Sequence, residues 1–589
     1  MDLQEIKETP IWNLYEKGRN YHRRVGIYTD TDRNYRMYNG NQWDGAKLGE
    51  VEPVQKNFIK PIVKYKVSVI HDNLYAINYS SQNYENPSFR KEAERYCDML
   101  NGYAARVWEK DKMDFKGRRI TKDAAINDEG IIYVNFDEEK MLPVNEIIKK
   151  NDIYYGNEND DDIQNQPYIL MRKRLPVINA VELALNLGMS ESKIPFIIGD
   201  NDTFEESGEA AKIELDNMVT IIYKLYKKDK TVRFSVATRW CDIVDDIDTG
   251  LSIYPIAHFN WEEKEGSARG EGEVRYLIPN QIEVNKTEMR RVLTVKLQAF
   301  PQKVVDTSKI ANPQALNTVG GIIRTNGAPV EDVRKVVGTI EPAQMSRDVV
   351  ELQEGLIQVT RDLAGAGDTA TGQVNPESAS GRAILAVQQA SQAPMTEQKE
   401  SYKNFVEDIA RIWLEYLIVY SVDGVQLEEE ITDANGEKSI QLVTVPQSAL
   451  EQLQAMVKID VTPKGVYDKF AQEQTLENLL VQGMFHVDRL PEFEAYVEAL
   501  DDDSVAPKMK LKEILERVKK TQRDIAIMNA NAQIMQQRAQ QFLMSDPDAQ
   551  AEQITDAQRQ IMAEEARYAE MEGDLDEETA EAEAETDEE

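Results

Sequence analysis

The sequence contains little cysteine and no long apolar run. Only Cys97 and Cys241 occur among 589 residues, so no disulfide framework is expected and a reducing compartment fits. No stretch approaches the roughly 18–20 apolar residues that a membrane-spanning helix needs. The N-terminal segment, MDLQEIKETPIWNLYEKGRN, lacks a basic region followed by an apolar run, so we expect no signal peptide. These absences predict a soluble intracellular protein.

Histidine is also scarce, which argues against a metal centre. The sequence contains no H-E-x-x-H or C-x-x-C motif, and its histidines are far apart in sequence. We therefore expect packing or surface roles, and no metal, for His22, His71, His258 and His486. His258 lies in the apolar segment IAHFNW, where a buried, hydrogen-bonded histidine is the default expectation.

Positive charge is in deficit. The chain has 69 basic and 104 acidic residues, for a formal net charge of −35. Binding of nucleic acid by phosphate neutralisation needs clustered Lys and Arg, so this composition argues against it. A surface that repels DNA would instead suit a passage through which DNA moves.

Other motifs with possible chemistry are weak. GDTATGQ, Gly367–Gln373, has the glycine spacing of a phosphate loop but lacks the lysine and follows a helix. The acidic stretches Asp245–Gly250 and Asn159–Asp162 invite a calcium interpretation, but the first places Ile256 at the bidentate position. No convincing nucleophile–base pair is visible, so neither an enzyme nor a cofactor is predicted.

The first half of the chain predicts helices followed by strands. Asn39-Gly40 predicts a helix end. The segment from Asn57 to about Ile77 has apolar residues at helical spacing, which predicts a buried helical face with Lys64 and Lys66 in solvent.

A period closer to two predicts strands further along the chain. The segment GIIYVNF, Gly130–Phe136, is one candidate strand. Three β-hairpins are also expected, formed by Ile213–Leu225 with Thr231–Trp240, Cys241–Val244 with Leu251–Ile256, and Val425–Glu430 with Ser439–Val445.

The most informative segment is Glu273–Tyr420, which predicts helix, β-rich insert, helix, glycine-rich loop and long helix. A lone two-helix stalk buries too little apolar area, so it needs neighbours. The predicted elements are a helix opening at Pro279, strands Gln302–Asp306, Gly321–Thr325 and Val333–Ile340, and helices Ser346–Ala364 and Gly381 to about Tyr420.

The end of the chain predicts helices and an acidic tail. The helical patterns are Tyr467–Gln482, Pro491–Leu500 and Lys508 to about Met544. The segment Glu564–Glu589 is rich in Glu, Asp and Ala, so we expect it to be disordered and solvated.

Several segments in order carry a family resemblance: RMYNGNQW, NFIKPIVKYKVSVI, DAAINDEGIIYVNF, YPIAHFNWEEKEGSARGEGEVRYLIPNQIEVNKTEMRR, and SASGRAI at Ser378–Ile384. Together with the helix–insert–helix layout, they resemble the portal proteins, or head-to-tail connectors, of tailed bacteriophages. The resemblance extends to about residue 480, and none of the segments is a catalytic signature.

The resemblance implies an α+β, portal-type fold. Its parts would be an α+β wing at 1–272 and 378–468, stem helices at 273–300 and 346–364, a small β-rich clip at 301–345, a tunnel loop at 365–377, a helical crown at 469–563 and the acidic tail at 564–589.

The resemblance also implies a function and partners. The protein would form a ring, usually a dodecamer, at one capsid vertex of a virion assembled in the host cytoplasm. Double-stranded DNA would pass through the ring during packaging and ejection without sequence specificity, and no membrane would take part. Implied partners are terminase, the major capsid and scaffolding proteins, and the head-completion or tail adaptor proteins that replace terminase on the clip.

Candidate site residues follow from this plan. The tunnel loop would contribute Gly365, Gly367, Asp368, Thr369, Thr371, Gly372 and Gln373. The stem candidates are Lys286, Arg290, Arg291, Leu293 and Arg347, and the clip candidates for partner docking are Arg324, Arg334 and Lys335. For the basic residues, ordinary surface charge is an equally good interpretation.

Two other classes of function stay open from the sequence. A capsid or adaptor scaffold without a channel would share the extended stalk and the lack of catalytic motifs. An enzyme with catalytic residues dispersed along the sequence would turn over substrate without terminase.

Overall fold

The computed structural model describes residues 7–44, 52–71, 73–81, 87–200, 217–318, 320–326, 336–341, 344–367, 393–432, 438–454, 457–465, 497, 508–543 and 561–563. The chain divides into two units, Met1–Gly465 and Val466–Glu589. Helices and strands are mixed along the first unit, which gives an α+β architecture.

The described helices of the first unit are α1 (Pro10–Val25), α2 (Ile27–Asn39), α3 (Ile59–Ile70), α4 (Pro87–Lys110), α5 (Met113–Asn127), α6 (Val177–Asn186), α7 (Glu273–Ala299), α8 (Arg347–Leu363), α9 (Thr396–Tyr420) and α10 (Gln447–Gln454). Its described strands are β1 (Asn73–Ser81), β2 (Glu129–Asp137), β3 (Leu142–Ile148), β4 (Ile153–Tyr155), β5 (Ile169–Pro176), β6 (Met218–Lys228), β7 (Thr231–Ala237), β8 (Asp242–Asp248), β9 (Ile256–Asn260), β10 (Lys303–Val305), β11 (Val337–Thr339), β12 (Val425–Thr432), β13 (Lys438–Val445) and β14 (Val457–Gly465).

The N-terminal helices have local start and stop signals. The Thr9 hydroxyl accepts from the Trp12 amide at the start of α1 (3.3 Å). Helix α2 ends at Gly40, whose φ of +97° is the left-handed conformation that favours glycine. The predicted helix end at Asn39-Gly40 is thereby confirmed.

Helix α3 buries the predicted apolar face but is shorter than expected. It ends at Ile70, and β1 follows and pairs antiparallel with β14. The prediction of one helical segment to about Ile77 is wrong, because the strand partner lies almost four hundred residues further along the chain. A local periodicity contains no information about such a partner.

Two antiparallel sheets form the centre of the first unit. One has the strand order β3-β2-β9 and the other β4-β5-β6-β7-β8. The predicted strand Gly130–Phe136 is confirmed as β2. The hairpin β6–β7 is also confirmed, and its turn places Asp229 and Lys230 at positive φ. The third predicted hairpin is confirmed as β12–β13.

The predicted hairpin of Cys241–Val244 with Leu251–Ile256 is wrong. Strand β8 pairs with β7, whereas β9 crosses to the other sheet and pairs with β2. The chain turns at Gly250, with φ of +72°, and leaves β8 as the edge of the five-stranded sheet. Four aspartates lie along β8, DIVDDID, and charges on an edge strand oppose further pairing.

Helix α9 packs across β9 and β2 and provides much of the core. The buried Tyr402 ring contacts the rings of His71, Tyr75 and Phe259, with centroids 4.8, 4.9 and 5.7 Å away. Trp413 donates its indole N–H to the Asn145 side chain (3.0 Å). These contacts pack α9, which follows α7 and α8 in sequence, against strands β3 and β9, which precede them.

Helices α7 and α8, called the stem below, and helix α9 match the predicted helices with two corrections. Helix α7 begins at Glu273, and Pro279 lies inside it rather than at its start. One missing backbone hydrogen bond is tolerated there because the surrounding turns are packed against other helices. Helix α9 begins at Thr396, after a short 3₁₀ turn containing Pro394. Residues 381–392 of the predicted long helix lie outside the described residues.

The insert between the stem helices contains a small β-ladder. Strands β10 and β11 pair antiparallel, which confirms the first predicted strand and the end of the third. The predicted strand Gly321–Thr325 is wrong in extent, because only Thr325 forms a bridge, with Ile310.

The second unit contains the helix α11 (Lys508–Leu543), which confirms the prediction for that segment. Leu515 is buried, whereas Ile514, Ile525, Ile527 and Ile534 are exposed. The predicted helices Tyr467–Gln482 and Pro491–Leu500 lie outside the described residues except for Val497. The predicted acidic tail also lies outside them.

Cys97 and Cys241 are buried free thiols. Across the described ranges, no helix has the length and apolar character required to cross a lipid bilayer. The same ranges contain no group of three or more His, Cys, Asp or Glu side chains arranged to hold a metal ion.

Candidate functional site

Helix α7 begins against the body, defined here as the first unit outside residues 273–367. The Gly272 amide donates to the Asp128 carboxylate (N to Oδ1, 2.7 Å). A Cβ on Gly272 would lie 2.8 Å from the Asp128 nitrogen, so only glycine fits this approach. The Lys150 ammonium binds the same carboxylate. The start of the stem is thus attached to the end of α5.

A second buried ion pair fixes the first turn of α7. The Lys66 ammonium lies 2.6 Å from the Glu273 carboxylate, and both side chains are almost fully buried. The Trp261 indole N–H also donates to Glu273 (3.4 Å). The expectation that Lys66 is solvated is therefore wrong: it lies on the packed side of α3, facing the stem. An acidic residue in the first turn also suits the helix dipole.

Arg269 is the centre of a buried charge cluster three residues before Gly272. Its guanidinium binds the fully buried Glu129 carboxylate and lies 2.8 Å from Glu158. It also approaches His22 Nε2 (3.0 Å). His258 Nε2 contacts the second oxygen of Glu129 at 2.9 Å. The prediction of a hydrogen-bonded His258 is confirmed, and its side chain is 10% exposed rather than fully buried.

Burial and neighbouring charges set the protonation states in this cluster. Burial alone would raise the pKa of Glu129, but Arg269 and His258 outweigh it and lower the pKa to about 2. The pKa of Glu158 is lowered in the same way, with Arg269 overcoming the effect of burial. Burial lowers the pKa of His22 to about 4, and Arg269 adds to this. At neutral pH the carboxylates are ionised and His22 is a neutral acceptor.

An extended segment, Glu52–Phe58, lies along the lower part of α7. The Gln281 side chain accepts from the Phe58 amide (3.0 Å) and donates to the Lys56 carbonyl (2.9 Å). Asn285 accepts from the Lys56 amide (3.1 Å). Because Gln281 and Asn285 are buried, these amide bonds hold the helix to the body as far as its fourth turn.

The two stem helices contact each other through polar side chains. Asn280 donates to the Thr360 hydroxyl (2.9 Å), and Gln353 donates to the Glu288 carboxylate (2.6 Å). Gln353 and Thr360 are the buried side chains of α8. Polar side chains therefore form these hydrogen bonds between the helices, while Leu356 and Ile357 of α8 are partly buried against the core.

Several apolar side chains of the two stem helices are exposed. Leu293 is 37% exposed, Phe300 78% and Leu363 83%. The other exposed apolar residues of α7 and α8 are Tyr276, Ile282, Val295, Leu297, Leu352 and Val359. Exposed apolar groups in this number mark a surface that is covered in an assembly.

Comparison with known proteins identifies the assembly. A family model described as phage P22-like portal protein matches residues 190–571, well over half of the chain. The chain belongs to the P22-like portal protein family.

Two further comparisons add little. No curated protein matches the chain. A solved structure described as the neck of an empty GTA particle computed with C6 symmetry is 10% identical, with a TM-score of 0.30. That match covers 68% of this chain and 84% of the other, and its score is too low to inform the fold.

Family membership confirms the resemblance seen in the sequence. Portal proteins are structural components rather than enzymes, as expected. They form homo-oligomeric rings in the neck of the phage, at a capsid vertex. The exposed apolar residues of α7 and α8 are consistent with contacts between neighbouring subunits of such a ring.

The predicted stem cations lie near carboxylates of their own helices. Lys286 and Arg290 lie 3.9 and 3.8 Å from Glu283. Arg291 lies 3.9 Å from Glu288, and Arg347 lies 3.1 Å from Glu351. All these cations are well exposed, and such pairs contribute little stability. Their role in the portal stays a prediction.

The predicted clip and tunnel-loop residues are only partly described. The exposed Arg324 donates its amide to the Asn312 side chain (2.7 Å), and Arg334 and Lys335 lie outside the described residues. Gly365, at φ +68°, ends α8, and the next amide, of Ala366, donates to the Arg361 carbonyl (2.8 Å). This is the bonding of a Schellman motif. Gly367 follows, and Asp368, Thr369, Thr371, Gly372 and Gln373 lie outside the described residues.

The sequence analysis did not identify the charge cluster at the stem root. Its members come from distant segments, so no local motif unites Glu129, Glu158 and Arg269. One signal was present: NDEGIIYVNF places Asp128 and Glu129 directly before a buried strand, where solvated carboxylates are not expected.

Replacing Arg269 should test the cluster. We expect Arg269→Ala to lower the free energy of unfolding by about 3–5 kcal/mol, because it leaves Glu129 buried without a counter-ion. Combining Arg269→Met with Glu129→Gln should recover part of this loss. Urea unfolding followed by tryptophan fluorescence measures both. Arg275→Ala, which removes an exposed partner of Glu271, is the control and should cost under about 1 kcal/mol. Equal effects of Arg269→Ala and the control would contradict the assignment.

His22 should make stability depend on pH. Its folded pKa is depressed, so its contribution is complete above pH 6.5 and is lost as pH falls towards about 4. Each such proton changes the free energy of unfolding by about 1.4 kcal/mol per pH unit. His22→Gln should therefore flatten the decline between pH 6.5 and 5, a window above the range in which Glu129 titrates. Burial also lowers the pKa of His71 to about 4. In the His22→Gln variant, His71 should therefore maintain a smaller dependence of stability on pH. An unchanged slope in denaturation midpoints across this window would refute the role of His22.

Proposed function

We propose that this portal protein forms a closed ring, a dodecamer, whose stem helices surround a channel for double-stranded DNA. DNA would enter through this channel during packaging and leave through it during ejection. The observation that carries the proposal is the number of exposed apolar side chains on two helices whose mutual hydrogen bonds are formed by polar groups.

The packing of the stem supports a ring. A fully exposed apolar side chain that a neighbour covers completely contributes about 1.5–3 kcal/mol, and a partly buried one such as Leu293 contributes less. In a closed ring, one side of each stem packs against the opposite side of the stem of the next subunit. Both sides of every stem are therefore covered. The exposed isoleucines of α11 support a further contact between copies in the crown.

The insert suits a docking role. It lies between the outer ends of α7 and α8, and its described strands are short and largely exposed. We propose that terminase docks on this clip, with Arg324, Arg334 and Lys335 contributing charge. Head-completion or tail adaptor proteins would then replace terminase, while capsid and scaffolding proteins contact the wing.

We propose that the tunnel loop gates DNA movement. It begins at the left-handed Gly365, and its sequence to Glu377 contains small residues with two charges, Asp368 and Glu377. Such a loop would contact the duplex without strong phosphate binding. A collar of these loops could slow the slippage of DNA out of a filled capsid.

Substitution of Leu293 tests the stem interface. Leu293→Asp should shift rings towards monomers, because an unpaired carboxylate in a packed interface costs several kcal/mol. Leu293→Met, which preserves volume and apolar character, should assemble as the parent does. Mass photometry reports both. Normal rings from the aspartate variant would place Leu293 outside the interface.

Shortening the loop tests gating. Deleting Asp368–Gln373 should leave rings and early packaging intact but reduce the fraction of particles that retain full-length DNA. If the deleted protein retains genomes as well as the parent, the loop is only a connector.

Images of purified rings by electron microscopy separate the channel from a scaffold without one. An axial hole wide enough for duplex DNA supports the channel, and a solid or open assembly supports the scaffold.

A further inference from the structure

Six cations lie on, or just before, two helices that pack together. Helix α3 and the segment before it carry Lys56, Lys60 and Lys64, and α5 carries Arg118, Arg119 and Lys122. We call these six residues the basic surface. All but the half-buried Lys60 and Lys122 are exposed.

Contacts in the structure bring the two helices together. His71, which follows α3, contacts the Thr121 hydroxyl of α5 (Nε2 to Oγ1, 2.9 Å). The ammonium groups of Lys60 and Lys122 both approach the Tyr38 ring, at 5.7 and 5.9 Å from its centroid. Two lysines from separate helices thus share one aromatic ring, although like charges repel each other.

Within the described residues, none of the six cations forms an ion pair, in contrast to neighbours such as Lys66 and Lys116. Two carboxylates on α5 accept from neutral donors instead: Asp114 from the Trp108 indole (2.9 Å) and Asp123 from the Tyr35 hydroxyl (2.8 Å). In a chain with 35 excess negative charges, a cluster of this kind is unexpected as ordinary surface.

We propose that the basic surface binds the phosphate backbone of double-stranded DNA. Lys60 and Lys64, and likewise Arg118 and Lys122, are four residues apart and therefore lie on one face of each helix. Four residues rise about 6 Å along a helix axis, close to two phosphate steps of roughly 3.4 Å on one DNA strand. Arg118 and Arg119 add guanidinium groups suited to phosphate oxygens.

This site lies outside the predicted channel residues of the stem and loop. It binds without base contacts, so it does not select sequence. The net charge of the chain, −35, opposes DNA contact elsewhere on the protein. The inference does not depend on the channel, because binding can be measured on rings that package nothing.

Fluorescence anisotropy with a labelled 30-base-pair duplex tests the proposal. At 50 mM NaCl, the parent ring should bind, and Lys60→Glu with Lys122→Glu should weaken binding at least tenfold. The slope of log affinity against log salt is negative, and its magnitude should decrease by about 1.8, or about 0.9 for each removed cation. Lys140→Glu with Lys230→Glu makes the same charge change on exposed lysines elsewhere and should have a much smaller effect.

Three results would overturn the proposal. The first is no binding by the parent at 50 mM NaCl, and the second is equal binding by the two double variants. The third is loss of rings, measured by mass photometry, in a Lys60/Lys122 variant whose subunits unfold in urea at the parent's midpoint, because the basic surface would then be a contact with an acidic surface of another subunit.

Discussion

The buried ion pair between Arg269 and Glu129 is the interaction on which the root of the stem depends. Removing two charges from water is costly, so the pair persists only because Glu158, His22 and His258 complete its contacts. Asp128, which directly precedes Glu129, accepts a hydrogen bond from the Gly272 amide at the start of α7. The dipeptide Asp128-Glu129, where α5 ends and β2 begins, therefore sets where the stem leaves the body.

Above this root the stem is incomplete as a single chain. The Gln281 and Asn285 amides hold α7 to the body through its fourth turn. Polar side chains bond α7 to α8 before this point, at Asn280, and after it, at Glu288. Several of their apolar side chains, such as Leu293 and Leu363, remain exposed. Formation of the ring, rather than folding of one subunit, would complete the stem. In the proposed ring, the first turns of α7 would be fixed by their own chain and the rest of the stem by neighbouring subunits. The proposed channel would then stay straight while partners bind at its outer end.

The sequence predicted those features that local signals specify. The Asn39-Gly40 helix end, the strand at β2 and the hairpins β6–β7 and β12–β13 each depend on residues close together in the chain. The pairing of β1 with β14, the crossing of β9 to β2 and the burial of Lys66 depend on distant partners, so they were missed. The basic surface was missed for the same reason, because folding brings together cations that composition averages against 104 acidic residues. The portal resemblance came from the order of several weak segments.

The central claim is that residues 273–285 of α7 are held by their own chain and residues 289–299 by neighbouring subunits. Amide hydrogen exchange tests this claim most directly when dissociated subunits are compared with assembled rings. Slow exchange should occur at residues 273–285 in both states, because buried ions and amides hold that part of the helix. Residues 289–299 should exchange slowly only in rings. Equal protection of residues 289–299 in both states, or rapid exchange of 273–285 in dissociated subunits, would contradict the account.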